Sequence, residues 1–292
     1  MKRVLALCCL LAGYAGTLTA GTVTVEDFAG RSVTLPEPAR RIVALAPHIV
    51  ENLYSAGAGD RLVGVVSYSD FPIQARSLPR VGSFNAFSLE QILASKPDLI
   101  LMWGSGNGAG ALEKLKRLGV PVYVSELRSL EDIPASIRRL GRLAGTEAHS
   151  ETEAQRLEDG FARLAAEFGA AAPLPVFYQI WHQPLQTVNG EHLISQIITL
   201  CGGRNIFADA ATLAPRINLE SVLARNPRVI VAGGMETAHP EWLEHWRRYP
   251  GLQALNGGLL SVNPDLIQRP TARALDGARD LCSKLEAVRT GN

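Results

Sequence analysis

The sequence predicts an α/β protein of two lobes, each built on a mainly parallel sheet, joined by a long helix. Three observations carry that expectation. β-rich runs alternate with helical segments from Arg41 to Val124 and again from Val176 to Val288, the pattern of parallel strands with helices on their faces. Between these regions, residues 129–168 hold two helical stretches and no strand, the second of them, Glu147 to Phe168, rich in Ala, Leu, Glu and Arg without a proline. Finally, Ser88-Leu-Glu-Gln-Ile-Leu-Ala-Ser-Lys-Pro-Asp-Leu-Ile-Leu101 returns as Asn218-Leu-Glu-Ser-Val-Leu-Ala-Arg-Asn-Pro-Arg-Val-Ile-Val231.

Each copy of that phrase opens on a capping residue, Ser88 or Asn218, runs through apolar positions at helical spacing and stops at Pro97 or Pro227. A continuous apolar run follows, Leu99 to Trp103 or Val229 to Ala232, of the kind that fills a strand buried on both faces. The unit is therefore helix, proline, buried strand. Its copies lie 130 positions apart (220 minus 90), too far for a solenoid period of roughly 20–50 residues and suited to one copy in each of two domains. Glu90 and Glu220 hold the same place in each copy, in the first helical turn, where a carboxylate suits the helix dipole.

In chain order, Lys2 and Arg3 precede the apolar run Val4 to Leu11, and small residues lead to Ala20. Residues 1–20 thus read as a signal peptide, and the mature protein as exported. The apolar run is shorter than the roughly 20 residues a membrane span needs. Thr22 to Leu35 alternates and breaks at Ala29-Gly30, a β-hairpin. The first lobe, residues 21–145, continues with a strand at Arg41 to Ala46, a helix at His48 to Ala56 and a strand at Leu62 to Val66. The first repeat, a helix at Ala111 to Leu118 and a strand at Val120 to Val124 follow, then a helix at Ser129 to Gly145. A connecting helix spans residues 146–170. The second lobe, 171–292, has a strand at Val176 to Trp181, a helix at His192 to Leu200 and the second repeat. A helix at Glu241 to Arg248, a strand at Leu259 to Val262 and a closing helix at Ala272 to Val288 complete it. A helical connection resists bending, so the lobes are expected to open and close only a little.

The chain has 292 residues, 47% hydrophobic and 20% charged, with 29 basic and 28 acidic residues. Without Lys2 and Arg3 the balance is 27 against 28, which argues against a nucleic-acid surface. Beyond the leader only Cys201 and Cys282 remain, and an exported chain with two cysteines most simply pairs them, closing a loop of 81 positions (282 minus 201). The competing reading, a catalytic or metal-binding thiol, lacks a motif to support it. The six histidines form no H-E-x-x-H and no tract, so no metal is expected. Trp103-Gly-Ser-Gly-Asn-Gly-Ala-Gly110 sits where a phosphate loop would but has no P-loop lysine. It reads as a mobile loop at the strand's C-terminal edge, where open α/β sheets hold ligands. No G-x-S-x-G surrounds Ser105.

Aromatic residues fall at strand ends: Tyr68 and Phe71 after the strand 62–66, Trp103 and Trp181 at the close of theirs, and Phe84 in the loop before the first repeat. Each singly is as consistent with plugging its own lobe. Their coincidence points to a stacking surface for a large flat or apolar ligand.

Tyr68-Ser-Asp-Phe-Pro-Ile-Gln-Ala75, Leu89-Glu-x-Ile-Leu-Ala-x-Lys-Pro-Asp98 and Cys201-Gly-Gly-x-Asn-Ile-Phe207 together resemble the periplasmic cobalamin-binding proteins that feed an ABC importer. These belong to the helical-backbone, or class III, periplasmic binding proteins, with two Rossmann-like lobes. The resemblance spans nearly the whole mature chain. It implies a corrinoid held between the lobes, with Tyr68, Phe84 and Trp103 at ligand-contacting positions, Asp265 and Arg269 from a cleft segment, and Trp181 beside the place of a family phenylalanine. Two departures stand out. A tryptophan expected near Ala214 is absent, and Asp265-Leu-Ile-Gln-Arg269 lacks the family's two aromatics. The resemblance also implies that Cys201 and Cys282 form the family disulfide, and that Glu90 and Glu220 dock into arginine pockets of a permease dimer. The expected protein is a monomeric, non-enzymatic carrier with no cofactor of its own. The same fold carrying haem or a ferric siderophore is the nearest rival, and a secreted α/β enzyme a remote one.

Overall fold

The computed structural model describes residues 21–233 and 240–291; the expected leader, residues 1–20, lies outside them. Strands β1 (Val23–Glu26) and β2 (Ser32–Leu35) form the antiparallel hairpin, with Val23, Val25, Val33 and Leu35 facing inward as the alternation requires. Asp27 fixes its turn by accepting the Ala29 and Arg31 amides and docks it by accepting the Val124 amide at 3.1 Å.

The first lobe runs β3 (Ile42–Ala44), α1 (Pro47–Ser55), β4 (Leu62–Val65), α2 (Leu89–Ala94), β5 (Leu99–Trp103), α3 (Ala111–Lys116), β6 (Val122–Ser125) and α4 (Asp132–Ala144). Helix α5 (Glu147–Phe168) leads to the second lobe. There follow β7 (Leu174–Gln179), α6 (Leu193–Leu200), β8 (Gly203–Asn205), α7 (Leu219–Arg225), β9 (Val229–Ala232), α8 (Pro240–Trp246), β10 (Leu259–Ser261), α9 (Pro264–Ile267) and α10 (Ala274–Thr290). Two of these elements have no counterpart in the sequence reading. The strand β8 is three residues of Gly-Arg-Asn, and α9 is a single turn started by Pro264; neither is long enough to show a period.

Both sheets have four strands, all parallel, in the orders β4-β3-β5-β6 and β10-β9-β7-β8. Numbered within its lobe, each sheet reads second, first, third, fourth. The two copies of the repeated phrase supply the third strand, β5 and β9, an inner position in both. Their caps form as the sequence requires: Ser88 Oγ accepts the Gln91 amide at 3.2 Å, and Asn218 Oδ1 accepts that of Ser221 at 2.9 Å. Ile92 and Val222 are the buried members of the two short helices.

Helix α5 packs on α4 of the first lobe and on α6 and α10 of the second. Its buried Leu157, Phe161 and Leu164 belong to one continuous apolar cluster that reaches both sheets. Gly160 lets α10 approach, because a Cβ there would lie 2.4 Å from a Leu275 methyl. Cys201, which caps α6, is bonded to Cys282 in α10, with the Cα atoms 4.5 Å apart. Among the described residues no helix is long and apolar enough to cross a membrane.

Candidate ligand cleft between the lobes

The C-terminal edges of the two sheets face a cleft of about 690 Å³ lined from both sides. His48, Trp103, Ser105 and Glu126 to Ser129 come from the first lobe; Glu191 to Leu193, Gln196, Leu213, Gln268 and Pro270 come from the second. This is where parallel sheets with exposed strand ends hold ligands.

Trp103 closes β5 and faces the cleft. Phe84 lies 5.9 Å from it with the rings tilted by 45°, and His48 meets it edge-on at 5.2 Å. The Gly-rich segment after Trp103 is not the mobile loop its composition suggests. Asn107, only 4% exposed, hydrogen-bonds three points around it, and Ser105 donates its amide and hydroxyl to Glu126 at 2.7 and 3.0 Å. Gly106 lies against the Trp103 ring so closely that a Cβ would sit 1.8 Å from it. Gly106 serves close packing on an indole, while Gly108 and Gly110 take positive φ angles of 88° and 75°.

The two histidines that line the cleft, His48 and His192, are held neutral. Burial and the Arg269 charge push His48 down to about 4, and burial alone does the same to His192. His192 Nδ1 accepts the Ile194 amide at 3.1 Å as the cap of α6, which leaves Nε2 to carry the ring proton.

At one side of the cleft the lobes are joined by ions. Glu51 of α1, 3% exposed, receives Arg269 at 2.8 Å and two N–H groups of Arg273 at 2.9 Å. Arg269 also contacts Asp70 at 3.1 Å and Asp265 at 3.2 Å, while Arg273 lies over the Phe71 ring at 4.0 Å. Asn52 donates to the Pro270 carbonyl at 3.0 Å. At another side the Gln196 amide spans the gap, accepting the Leu130 amide at 3.0 Å and donating to the Arg128 carbonyl at 2.9 Å.

Of the ligand-contacting residues selected from sequence, Trp103 alone is among the described cleft lining, and Phe84 packs on its ring. Arg269 meets the Tyr68 loop through Asp70, with Asp265 on its other amino group, and Tyr68 itself is 65% exposed with a positive φ of 65°. Trp181, 37% exposed, stands apart: it packs against Trp242 at 5.9 Å, donates to the Gln183 carbonyl at 2.9 Å and is not part of the cleft lining. Glu90 and Glu220 are exposed on α2 and α7. Sequence reasoning passed over Glu51, Asn107, His48, His192 and Gln196. The signal for Glu51 was a carboxylate inside the apolar face His48-Ile-Val-Glu-Asn-Leu53; for Asn107 it was the one amide side chain in a glycine run. Leu213 reaches the cleft beside Ala214, where the family tryptophan is missing.

Two parallel lobes on a rigid helix around a cleft define a substrate-binding protein. Residues 42–257 match the family described as periplasmic binding protein, and the chain belongs to that family. Within it, the chain is similar to the vitamin B12-binding protein of Vibrio parahaemolyticus, 35% identical over 254 residues that cover 87% of this chain and 92% of that one. It is 37% identical over 255 residues to the vitamin B12-binding protein of Pectobacterium carotovorum, covering 87% and 91%. The crystal structure of the periplasmic vitamin B12 binding protein BtuF of Vibrio cholerae superposes with a TM-score of 0.79 at 35% identity, over 86% of this chain and 98% of that one. The periplasmic haem-binding protein RhuT from Roseiflexus, at 22% identity and a TM-score of 0.72 over 86% and 99% of the two chains, shares the fold.

Proposed function

We propose that the protein is an exported, non-enzymatic carrier that takes cobalamin or a close corrinoid between its lobes and delivers it to an ABC importer. The observation that carries the choice of cargo is the state of the cleft arginines. Arg269 is shared by three carboxylates and Arg273 is held by Glu51, which leaves the largely exposed Arg128, 3.5 Å from Glu126, as the one unspent guanidinium of the described cleft lining. An anionic siderophore or the propionates of haem would want unspent guanidinium groups, whereas a corrin rimmed with amides needs acceptors and aromatic faces. The likeness to vitamin B12-binding proteins supports the same reading. The leader at residues 1–20 would direct export to the periplasm, and the monomer would carry its cargo there.

Calorimetric titration with cyanocobalamin tests the proposal. Nanomolar affinity, about −12 kcal/mol, is expected for the wild type, and Trp103→Ala should weaken binding roughly 10- to 100-fold through loss of its stacking face. Absence of heat at micromolar corrinoid overturns the reading, and a Soret shift on adding haem instead would replace it with the haem carrier.

The exposed Glu90 and Glu220, one on each lobe at matching places, would meet the two halves of a two-fold permease. Glu90→Arg combined with Glu220→Arg is expected to leave cyanocobalamin affinity within about twofold while uptake by cells carrying the importer is lost. Normal uptake in that double variant would return both residues to helix capping.

A further inference from the structure

The main-chain amide of Trp103 does not bond to a neighbouring strand. It donates to Asn107 Oδ1 at 2.5 Å, and the Asn107 amide donates in return to Trp103 O at 3.0 Å. The Asn107 Nδ2 group donates to Phe84 O at 2.5 Å and to Leu45 O, in the turn between β3 and α1, at 2.8 Å. One buried side chain thus ties together the end of β5, the end of the β3 segment and the turn that carries Phe84. The turn has bonds of its own, Ser83 and Ala86 across it at 2.8 and 3.3 Å, Ser83 Oγ to Asn85 Oδ1 at 2.8 Å and a bridge between Gly82 and Phe87, but Phe84 to Ala86 are exposed and it is Asn107 that ties the Phe84 carbonyl to the end of β5. Gly106, against the ring, closes one face of Trp103.

We propose that Asn107 is a positioning residue that pre-forms the aromatic wall, setting Trp103 through its carbonyl oxygen and Phe84 through its amide nitrogen, so that a flat cargo finds both rings in place. No other amino acid supplies both functions in that volume. Aspartate keeps the acceptor for Trp103 but turns an oxygen toward two carbonyl oxygens. Leucine has a similar volume and supplies neither. The carrier of the aromatic wall is therefore the Gly-rich segment, whose Gly106 permits the approach and whose one amide side chain fixes it.

The two halves of the proposal separate in the free protein. Amide hydrogen exchange read by NMR is expected to show the Trp103 amide protected in the wild type and in Asn107→Asp, and about tenfold or more faster in Asn107→Leu. The Ser83 and Ala86 amides should exchange faster in both variants. Unchanged protection of Trp103 in Asn107→Leu, or of the 82–87 turn in Asn107→Asp, overturns the assignment without reference to any cargo. The second arm rests on the corrinoid reading. Asn107→Asp and Phe84→Ala should each weaken cyanocobalamin about five- to tenfold, and the double variant should be no weaker than the worse single one, because both remove the same placed ring. Multiplying losses would mean that Asn107 acts elsewhere. Wild-type protein that fails to bind cyanocobalamin would strike down the cargo reading, while the exchange result would still decide the role of Asn107.

Discussion

Glu51→Ala is expected to lower stability by about 3 kcal/mol and the melting temperature by about 6–12 °C. The buried carboxylate receives Arg269 and Arg273 together, so its loss strands two guanidinium groups at the junction of the lobes. The figure is the lower end for a broken buried pair because both arginines keep some contact with water, at 21% and 17% side-chain exposure. Glu51→Gln should lose less, since an amide oxygen still accepts. The two variants measured by scanning calorimetry separate charge from hydrogen bonding. A shift under about 2 °C for the alanine variant would show the pair to be energetically idle.

Cys201→Ala with Cys282→Ala should have an equal or larger effect. The bond closes a loop of 81 positions, which the chain-entropy account values at about 4–5 kcal/mol, or about 10 °C or more in melting temperature. Both sulfurs are fully buried, between α6 and α10, and alanine leaves no unpaired polar atom in their place. Thermal unfolding of the double variant beside the oxidised wild type gives the number. Coincident melting curves would mean that packing of α10 on α5 and α6 already supplies the constraint.

Much of the fold was legible because its signals are local. The cap, helix, proline and buried strand of the repeated phrase each have a residue that forces them, and Glu147–Phe168 matches the predicted helix residue for residue. The cleft was legible only in part. Trp103 announces itself as a large ring at the end of an apolar strand. Glu51 and Gln196 bind partners about 220 and 66 positions away, and no spacing within α1 or α6 reveals what will face them. The Gly-rich segment was misleading for a related reason: composition reports the freedom of an isolated chain, and Asn107 removes that freedom by bonds that exist only after β3, β5 and the Phe84 turn have come together. Trp181 shows the limit of strand-end position as a signal. A strand-end aromatic can also lie against its own lobe, and here Trp242 is its neighbour.

The bridges at the two sides of the cleft bear on how long cargo stays. With Glu51 and Gln196 joining the lobes, little binding free energy should go into closing them, and association can proceed against a surface those bonds hold in shape. Dissociation meets the reverse condition. Parting the lobes means separating a buried carboxylate from two arginines at once, so spontaneous loss should be slow and residence long. Work applied to the lobes from outside, through α2 and α7 as the equivalent helices of the two repeat copies, would then be what sets the moment of release.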